Sequence, residues 1–368
     1  MGRASDPAKD AEADDVRFGQ AFVTDIWHFA ALSTELRPGR PIRREMLGQP
    51  ILLARDKAGA LMALRDICPH RAAPLSAGTL VTEADGATSI ACPYHGWRFG
   101  PDGRCRAIPS LTPDQTVDAG RIAAAAFPIA ESQGLVYVWL PGPGRTAPDP
   151  IPDLPVFPGL TARGARLVES QVFETHMDHA VVGLMDPAHG PYVHRQWWWR
   201  PDGSAHAKDK AFGPVEAGFA MLPHQPSSNS LAYRLLGGAP VTEIVFRLPG
   251  LRFEHVKVGR RELVALTCLT PESETRTRIT QILWSDHPVF ALARPLVRWA
   301  ARRFLSQDGA MVNLQNANLP FGPGFIWIDD ADRQARWYQA LKREWVASRR
   351  EGRPFTNPVA PTRLRWTS

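Results

Sequence analysis

Two short strings in the first third of the chain, Cys68-Pro69-His70 and Cys92-Pro93-Tyr94-His95, each pair a thiol with an imidazole. Facing each other, they would offer two sulfurs and two nitrogens. That set suits a zinc ion, or a [2Fe–2S] cluster with two cysteines on one iron and two histidines on the other. The order counts against a zinc finger, where cysteines pair first and histidines follow on a helix. A third reading has no metal at all, but two such pairs within one small region make chance a poor explanation. Further on, Asp186-Pro187-Ala188-His189-Gly190-Pro191-Tyr192-Val193-His194 spells D-x-x-H-x4-H. One helical turn brings Asp186 and His189 to the same side. Gly190 and Pro191 let the chain bend so that His189 and His194 converge. Two imidazoles and a carboxylate on one side of an iron leave positions open for oxygen and substrate.

These residues need elements to hold them. Residues 50–67 read as two apolar strands around the turn at Asp56–Gly59, and residues 89–92 as another strand. Residues 97–106 read as a hairpin around Pro101-Asp102-Gly103, and residues 134–140, GLVYVWL, as a further strand. Both Cys-His strings thus sit on loops at strand ends in an all-β unit. Residues 141–158 carry seven prolines in 18 positions, which excludes a helix or a central strand. Beyond them, residues 168–185 show apolar spacing close to helical. Strand-like runs follow at 231–236, 243–248, 251–258, 263–270 and 278–284. Helical patterns close the chain at 292–319 and 331–348. Helix, antiparallel meander and long helix make an α+β arrangement.

Composition narrows the class. Four cysteines in 368 residues exclude a disulfide scaffold. The net charge of +6 comes mostly from scattered arginines and forms no stripe, which argues against nucleic acid. No run approaches the ~18 apolar residues that span a bilayer, and the start lacks an apolar signal segment. The reading is a cytoplasmic protein with no membrane contact.

At residues 27–139 the strings ALRDICPHRAAPLSAG, CPYHGWRFGPDGRCRAIPS and GLVYVWL resemble the Rieske domain of the Rieske non-haem iron oxygenases. Ala73 and Tyr94 occupy the places where respiratory Rieske proteins carry two further cysteines, so the likeness is to the oxygenase type. The resemblance implies an N-terminal all-β Rieske domain (17–140, after a disordered arm at 1–16). The proline-rich linker at 141–158 would join it to an α+β helix-grip (START-like) catalytic domain with an antiparallel sheet at 159–368. It also implies Cys68, His70, Cys92 and His95 as ligands of a [2Fe–2S] cluster. His189, His194 and a carboxylate far downstream would hold a mononuclear Fe(II). Gln307-Asp308-Gly309 fits that carboxylate's pattern and points to Asp308. His176 and His179 are left as structural residues, because they lack the preceding Asp at three residues. Gly183 stands where many family members have asparagine.

The family activity implied is that of a terminal oxygenase. It uses electrons from the cluster and O2 at the iron to hydroxylate or oxidatively demethylate an aromatic or other hydrophobic substrate. By the same resemblance Asp186 is the catalytic bridge, linking His189 to a cluster histidine of a neighbouring subunit in a homotrimer. No G-x-G-x-x-G follows a strand, so electrons would come from a ferredoxin or a reductase. Arg71, Arg98, Arg104 and Arg106 flank the cluster loops and are a candidate docking face. The competing class is a Rieske electron-transfer or ligand-binding protein without oxygenase activity. Met221, Phe253, Leu266 and Phe290 are candidate pocket residues. Trp197-Trp198-Trp199-Arg200 is a candidate entrance or interface segment. Cys105 and Cys268 read as small packing residues.

Overall fold

A computed structural model describes residues 17–160, 165–194, 206–226 and 239–368. The arm at 1–16, the strand-like run at 231–236 and the Trp197-Trp198-Trp199-Arg200 segment lie outside the described residues. The chain divides into two compact units, one of Thr24–Val156 and one of Phe157–Ser368 with the segment before Thr24. Among the described residues, no helix is long and apolar enough to cross a membrane.

The first unit is built of short strands joined by loops and single 3-10 turns. β1 (Ile26–Leu32), β10 (Leu135–Leu140) and β9 (Ile129–Ser132) form one antiparallel sheet. β1 and β10 are buried along their whole length, which is why they read as unbroken apolar runs. β2 (Ile42–Met46), β3 (Gln49–Arg55) and β4 (Leu61–Arg65) form a second sheet, with β4 ending just before Cys68. β5 (Thr79–Thr82), β6 (Thr88–Ala91), β7 (Arg98–Phe99) and β8 (Cys105–Ala107) form a third, and the Cys92 loop joins β6 to β7. The proline-rich stretch is anchored to this unit. Asp25 accepts hydrogen bonds from the Gly142 N–H at 3.1 Å and from Arg145 at 2.8 Å, and the Trp27 indole donates to the Pro152 carbonyl at 2.7 Å.

The second unit is built on an eight-stranded antiparallel sheet. Its strands are β11 (Ala165–Phe173), β12 (Ala207–Val215), β13 (Gly218–His224), β14 (Val241–Arg247), β15 (Leu251–Val258), β16 (Arg261–Ser273), β17 (Arg276–Ser285) and β18 (Thr362–Thr367). β12 to β17 run as a meander, with β18 beside β12 and β11 beside β17. Among the described residues the helices are α1 (Met177–Met185), the single turn α2 (Gly190–Val193), α3 (Pro288–Leu292), the long α4 (Arg294–Asn316) and α5 (Arg333–Glu351). The stretch 168–185 is not one helix. Its first part is β11, paired with β17 from Ala165↔Ser285 to Phe173↔Thr277. Along β11, Leu167, Glu169 and Phe173 are buried, the two-residue alternation of a strand, and cross-strand pairing overrides the looser helical spacing.

The sheet carries its helices on one face. Glu169 binds Arg298 and Arg302 of α4 at 2.8 and 2.6 Å, and Phe246 and Phe219 meet Tyr338 and Trp337 of α5. Cross-strand partners share a face. The register Glu169↔Gln281↔Thr267↔Arg252↔Phe246↔Phe219 is therefore one row beneath the helices.

Residues 17–23 fold with the second unit. The Gly19 N–H and the Lys342 ammonium both donate to Asp178, at 2.7 and 2.6 Å, and the Tyr338 hydroxyl donates to it at 2.6 Å. Lys342 also donates to the Ala21 carbonyl. This buried charged node ties the N-terminal segment, α1 and α5 together. It survives burial because every charge in it has a partner.

Candidate metal centres

The two Cys-His loops share one backbone design. The Cys68 N–H donates to the Ala73 carbonyl, and the Ala72 N–H returns to the Cys68 carbonyl, both at 2.9 Å. The Cys92 N–H donates to Trp97 at 2.8 Å, and the Gly96 N–H returns to Cys92 at 3.0 Å. The fourth residue after each cysteine lies in the left-handed region, Ala72 at φ 57° and Gly96 at φ 71°. One loop thus tolerates alanine where the other uses glycine, at a cost of about 1 kcal/mol. Asp66 fixes the entry to the first loop. Its buried carboxylate accepts from the Ser76 N–H and hydroxyl, each at 2.6 Å, and from Arg43 at 3.2 Å. The sequence reading passed over Asp66, whose only signal was its place between β4 and Cys68.

The four candidate cluster ligands gather as two pairs. Cys68 and Cys92 are buried, and their thiols interact; burial pushes the Cys68 pKa up. The His70 and His95 rings lie 4.6 Å apart, with His70 stacked on Trp97 at 4.5 Å. The Nδ1 atoms of both histidines are buried and carry no hydrogen bond among the described residues. A buried ring nitrogen without a partner is costly, and a metal bond would satisfy each one. These four residues do not form a group whose donor atoms all lie within 4.8 Å of one another. One zinc ion needs such a group, whereas a two-iron cluster spreads its ligands over two metals. The donor set therefore fits the cluster better than zinc.

His189, His194 and Asp308 do form a compact group. Asp186 closes α1, His189 precedes α2 and His194 follows it. His189 Nε2 stands 3.2 Å from His194 Nε2, and Asp308 Oδ1 lies 3.6 Å from the first and 3.1 Å from the second. His189 Nδ1 donates to the Asp186 backbone carbonyl at 2.7 Å, and His194 Nδ1 faces Gln307 Oε1 at 3.1 Å. Both Nε2 atoms and the carboxylate converge on one point, as three ligands of one cation would. Ligands about 2.1 Å from one ion stand roughly 3.0–3.4 Å apart, close to the spacing found. The donors suit a two-histidine, one-carboxylate iron.

Helix α4 brings Asp308 into place. Gly309 sits against β11, where an added Cβ would meet Phe173 Cε1 at 2.8 Å and Gln171 Nε2 at 3.2 Å. Gly183 plays the same part on α1, since a Cβ there would lie 3.2 Å from Val312 of α4. Glycine at 183 thus lets α1 lie against Val312 of α4. The Asp186 carboxylate accepts the Ala188 N–H at 2.7 Å and lies 3.8 Å from His189 Nδ1. Burial pushes its pKa up, against the lowering effect of the Ala188 N–H and of His189.

The remaining candidates fall elsewhere. The His176 Nδ1 caps α1 by accepting the Asp178 N–H at 3.1 Å, and burial pushes its pKa down to about 4. His179 is buried against Phe18, with its pKa also lowered by burial. Cys105 packs in the core beneath the cluster loops, and Cys268 is fully buried with its thiol pKa pushed up. Of the pocket candidates, Met221 lies on the helix-bearing face, two residues from Phe219. Phe290 packs with Leu167 and Ala301 at the start of α4. Phe253 and Leu266 are cross-strand partners on the opposite face, because they alternate with Arg252 and Thr267, and they cannot line a pocket beneath the helices. Arg252, Thr267 and Gln281 of the row across the sheet are polar instead, and Arg252 pairs with Glu254 at 3.3 Å.

Three of the four arginines beside the Cys-His loops have acidic partners. Arg98 pairs with Glu83 at 3.0 Å, Arg104 with Asp102 at 4.0 Å, and Arg106 with Asp85 and Asp102 at 4.0 and 3.9 Å. Glu83 and Asp85 belong to the hairpin tip between β5 and β6. Arg71 is exposed and makes no salt bridge among the described residues.

Two family models cover the regions that hold these two groups of residues. Residues 26–128 match the family model of the Rieske [2Fe-2S] domain, and residues 174–342 that of the vanillate O-demethylase oxygenase C-terminal domain. The dicamba O-demethylase oxygenase component of Stenotrophomonas maltophilia is 34% identical over 197 residues, 53% of this chain and 52% of that protein. The chloroplastic chlorophyllide a oxygenase of Chlamydomonas reinhardtii is 28% identical over 362 residues, 92% of this chain and 51% of that protein. The chain thus spans about half the length of these curated relatives. Dicamba monooxygenase bound to dicamba shares the fold at a TM-score of 0.71 and 23% identity, covering 89% of this chain and 99% of that one.

Proposed function

The chain belongs to the Rieske non-haem iron oxygenases, with a [2Fe–2S] cluster and a mononuclear iron as cofactors, and on that premise we propose that it is the terminal oxygenase of an electron-transfer system. It hydroxylates or oxidatively demethylates an aromatic or other largely apolar molecule. The observation that carries this reading is the convergence of His189, His194 and Asp308. A Rieske electron carrier or a ligand-binding protein has no use for such a group.

In this reading Cys68, Cys92, His70 and His95 hold the cluster, and His189, His194 and Asp308 hold the iron. When bound, the cluster supplies electrons singly and the iron supplies oxygen activation. The chain's own work is positional. The Asp186 carbonyl turns His189 so that its Nε2 faces the site. The helix-bearing face of the sheet receives the substrate, with Arg252, Thr267 and Gln281 offering hydrogen bonds to its polar substituents. The Asp186 carboxylate serves as the bridge to a cluster histidine of a neighbouring subunit in a homotrimer, a ring-closing heterologous contact. A ferredoxin or a reductase delivers the electrons near Arg71.

The test is turnover with a chemical reductant, O2 and a panel of methoxylated aromatic and terpenoid compounds. A demethylated or hydroxylated product from the parent, absent from Asp308→Ala, supports the reading. No product from any compound, with full cluster and iron content, favours the electron-carrier alternative.

A further inference from the structure

His189 and His194 are turned toward the metal position by different means. A ring nitrogen faces a metal reliably only when its other nitrogen is held by an outer partner, which fixes both the tautomer and the ring plane. For His189 that partner is the backbone carbonyl of Asp186, at 2.7 Å. Backbone holds this ring whatever side chain stands at 186. For His194 it is a side chain, Gln307 Oε1, at 3.1 Å from Nδ1.

Gln307 does not act alone on this ring. Phe304, Gln307 and Asp308 lie on one face of α4, three and four residues apart. Phe304 meets the His194 ring edge-on at 4.6 Å, and Asp308 Oδ1 faces its Nε2 at 3.1 Å. One helix turn therefore grips the imidazole at its flank, at Nδ1 and at the metal side.

We infer that Gln307 is the positioning residue of the mononuclear site: its amide oxygen accepts the His194 Nδ1 proton and so leaves Nε2 as a lone pair for the metal. The inference rests on the reading of His189, His194 and Asp308 as metal ligands. The amide must accept, because its NH2 end in the same place would require an unprotonated Nδ1 and put the proton on Nε2, toward the metal. Glutamate can only accept, so it substitutes for this role, whereas an isosteric apolar side chain does not.

The experiment uses the full chain with its cluster intact and the mononuclear site stripped by a chelator. Co(II) is titrated and followed by its ligand-field absorption. Gln307→Leu is expected to weaken Co(II) binding about 10–100-fold, while Gln307→Glu binds at least as tightly as the parent. The cluster spectrum stays unchanged in both. Should the Leu variant fail to fold, Gln307→Met, unbranched and close in length, carries the same expectation. Parent-like affinity in the apolar variant overturns the inference, as does equal weakening by Leu and Glu, which would assign Gln307 to packing. Asp308→Ala separates the two levels. If it too binds Co(II) as the parent does, the ligand reading fails. If it loses Co(II) while Gln307→Leu does not, only the role of Gln307 fails.

Discussion

His189 and His194 hold their Nε2 atoms 3.2 Å apart, with His189 Nδ1 donating to the Asp186 carbonyl and His194 Nδ1 facing Gln307 Oε1. The Asp308 carboxylate faces both nitrogens, so the three together form a donor set for a cation. Asp308 reaches these rings from α4, which packs against α1 at Gly183.

The seat of α4 against β11 depends on Gly309. In Gly309→Ala the new methyl would stand 2.8 Å from the fully buried Phe173 ring, so α4 must shift. We expect a stability loss of about 1–3 kcal/mol and weaker metal binding, because Asp308 is the adjacent residue. Thermal unfolding and Co(II) titration check both; an unchanged affinity would mean that Asp308 does not depend on this contact.

The Asp186 carboxylate can be removed without disturbing the ligand beside it, since the backbone carbonyl, not the carboxylate, orients His189. Asp186→Asn should therefore keep its full iron content and cluster spectrum yet lose turnover. Full activity in this variant would remove the bridge from the account.

His176 gives a pH dependence. Burial lowers its pKa from 6.5 to about 4 in the fold, so between those values the unfolded chain binds more protons. Stability from this group is complete above pH 6.5 and is lost as pH falls toward 4, by at most about 3 kcal/mol. Asp178, Lys342 and His179 surround the ring, and His179 adds a smaller slope of the same sign. His176→Asn keeps a capping acceptor and cannot titrate. Urea unfolding at several pH values should show a flatter profile for the variant; parallel profiles would contradict the assignment.

Docking of an acidic ferredoxin should depend on Arg71 more than on Arg98, whose charge Glu83 already offsets. Arg71→Glu should raise the apparent KM for ferredoxin well beyond Arg98→Glu, and added salt should narrow the gap. Equal effects would point to another docking face.

Both Cys-His strings and the D-x-x-H-x4-H string were legible because their chemistry is written in residue type and local spacing. Asp308 needed the family pattern, because nothing local marks one acid on a helix as different from a solvated one. Gln307 and Asp66 act through a contact made only in the folded chain. The i, i+3, i+4 grouping of Phe304, Gln307 and Asp308 on one helix was the available sign of the first. The strand β11 was hidden because an apolar spacing near four residues fits either a helix or a strand with one face buried. Phe253 and Leu266 were misjudged for a related reason: apolar composition alone does not tell which face of a sheet a side chain occupies.

The most direct test of the central claim is iron analysis with EPR spectroscopy of the reduced protein, parent against Asp308→Ala. The account predicts about three irons per chain in the parent, two in the variant, and the same Rieske-type signal in both. Equal iron in the two proteins, or a parent without that signal, would contradict it.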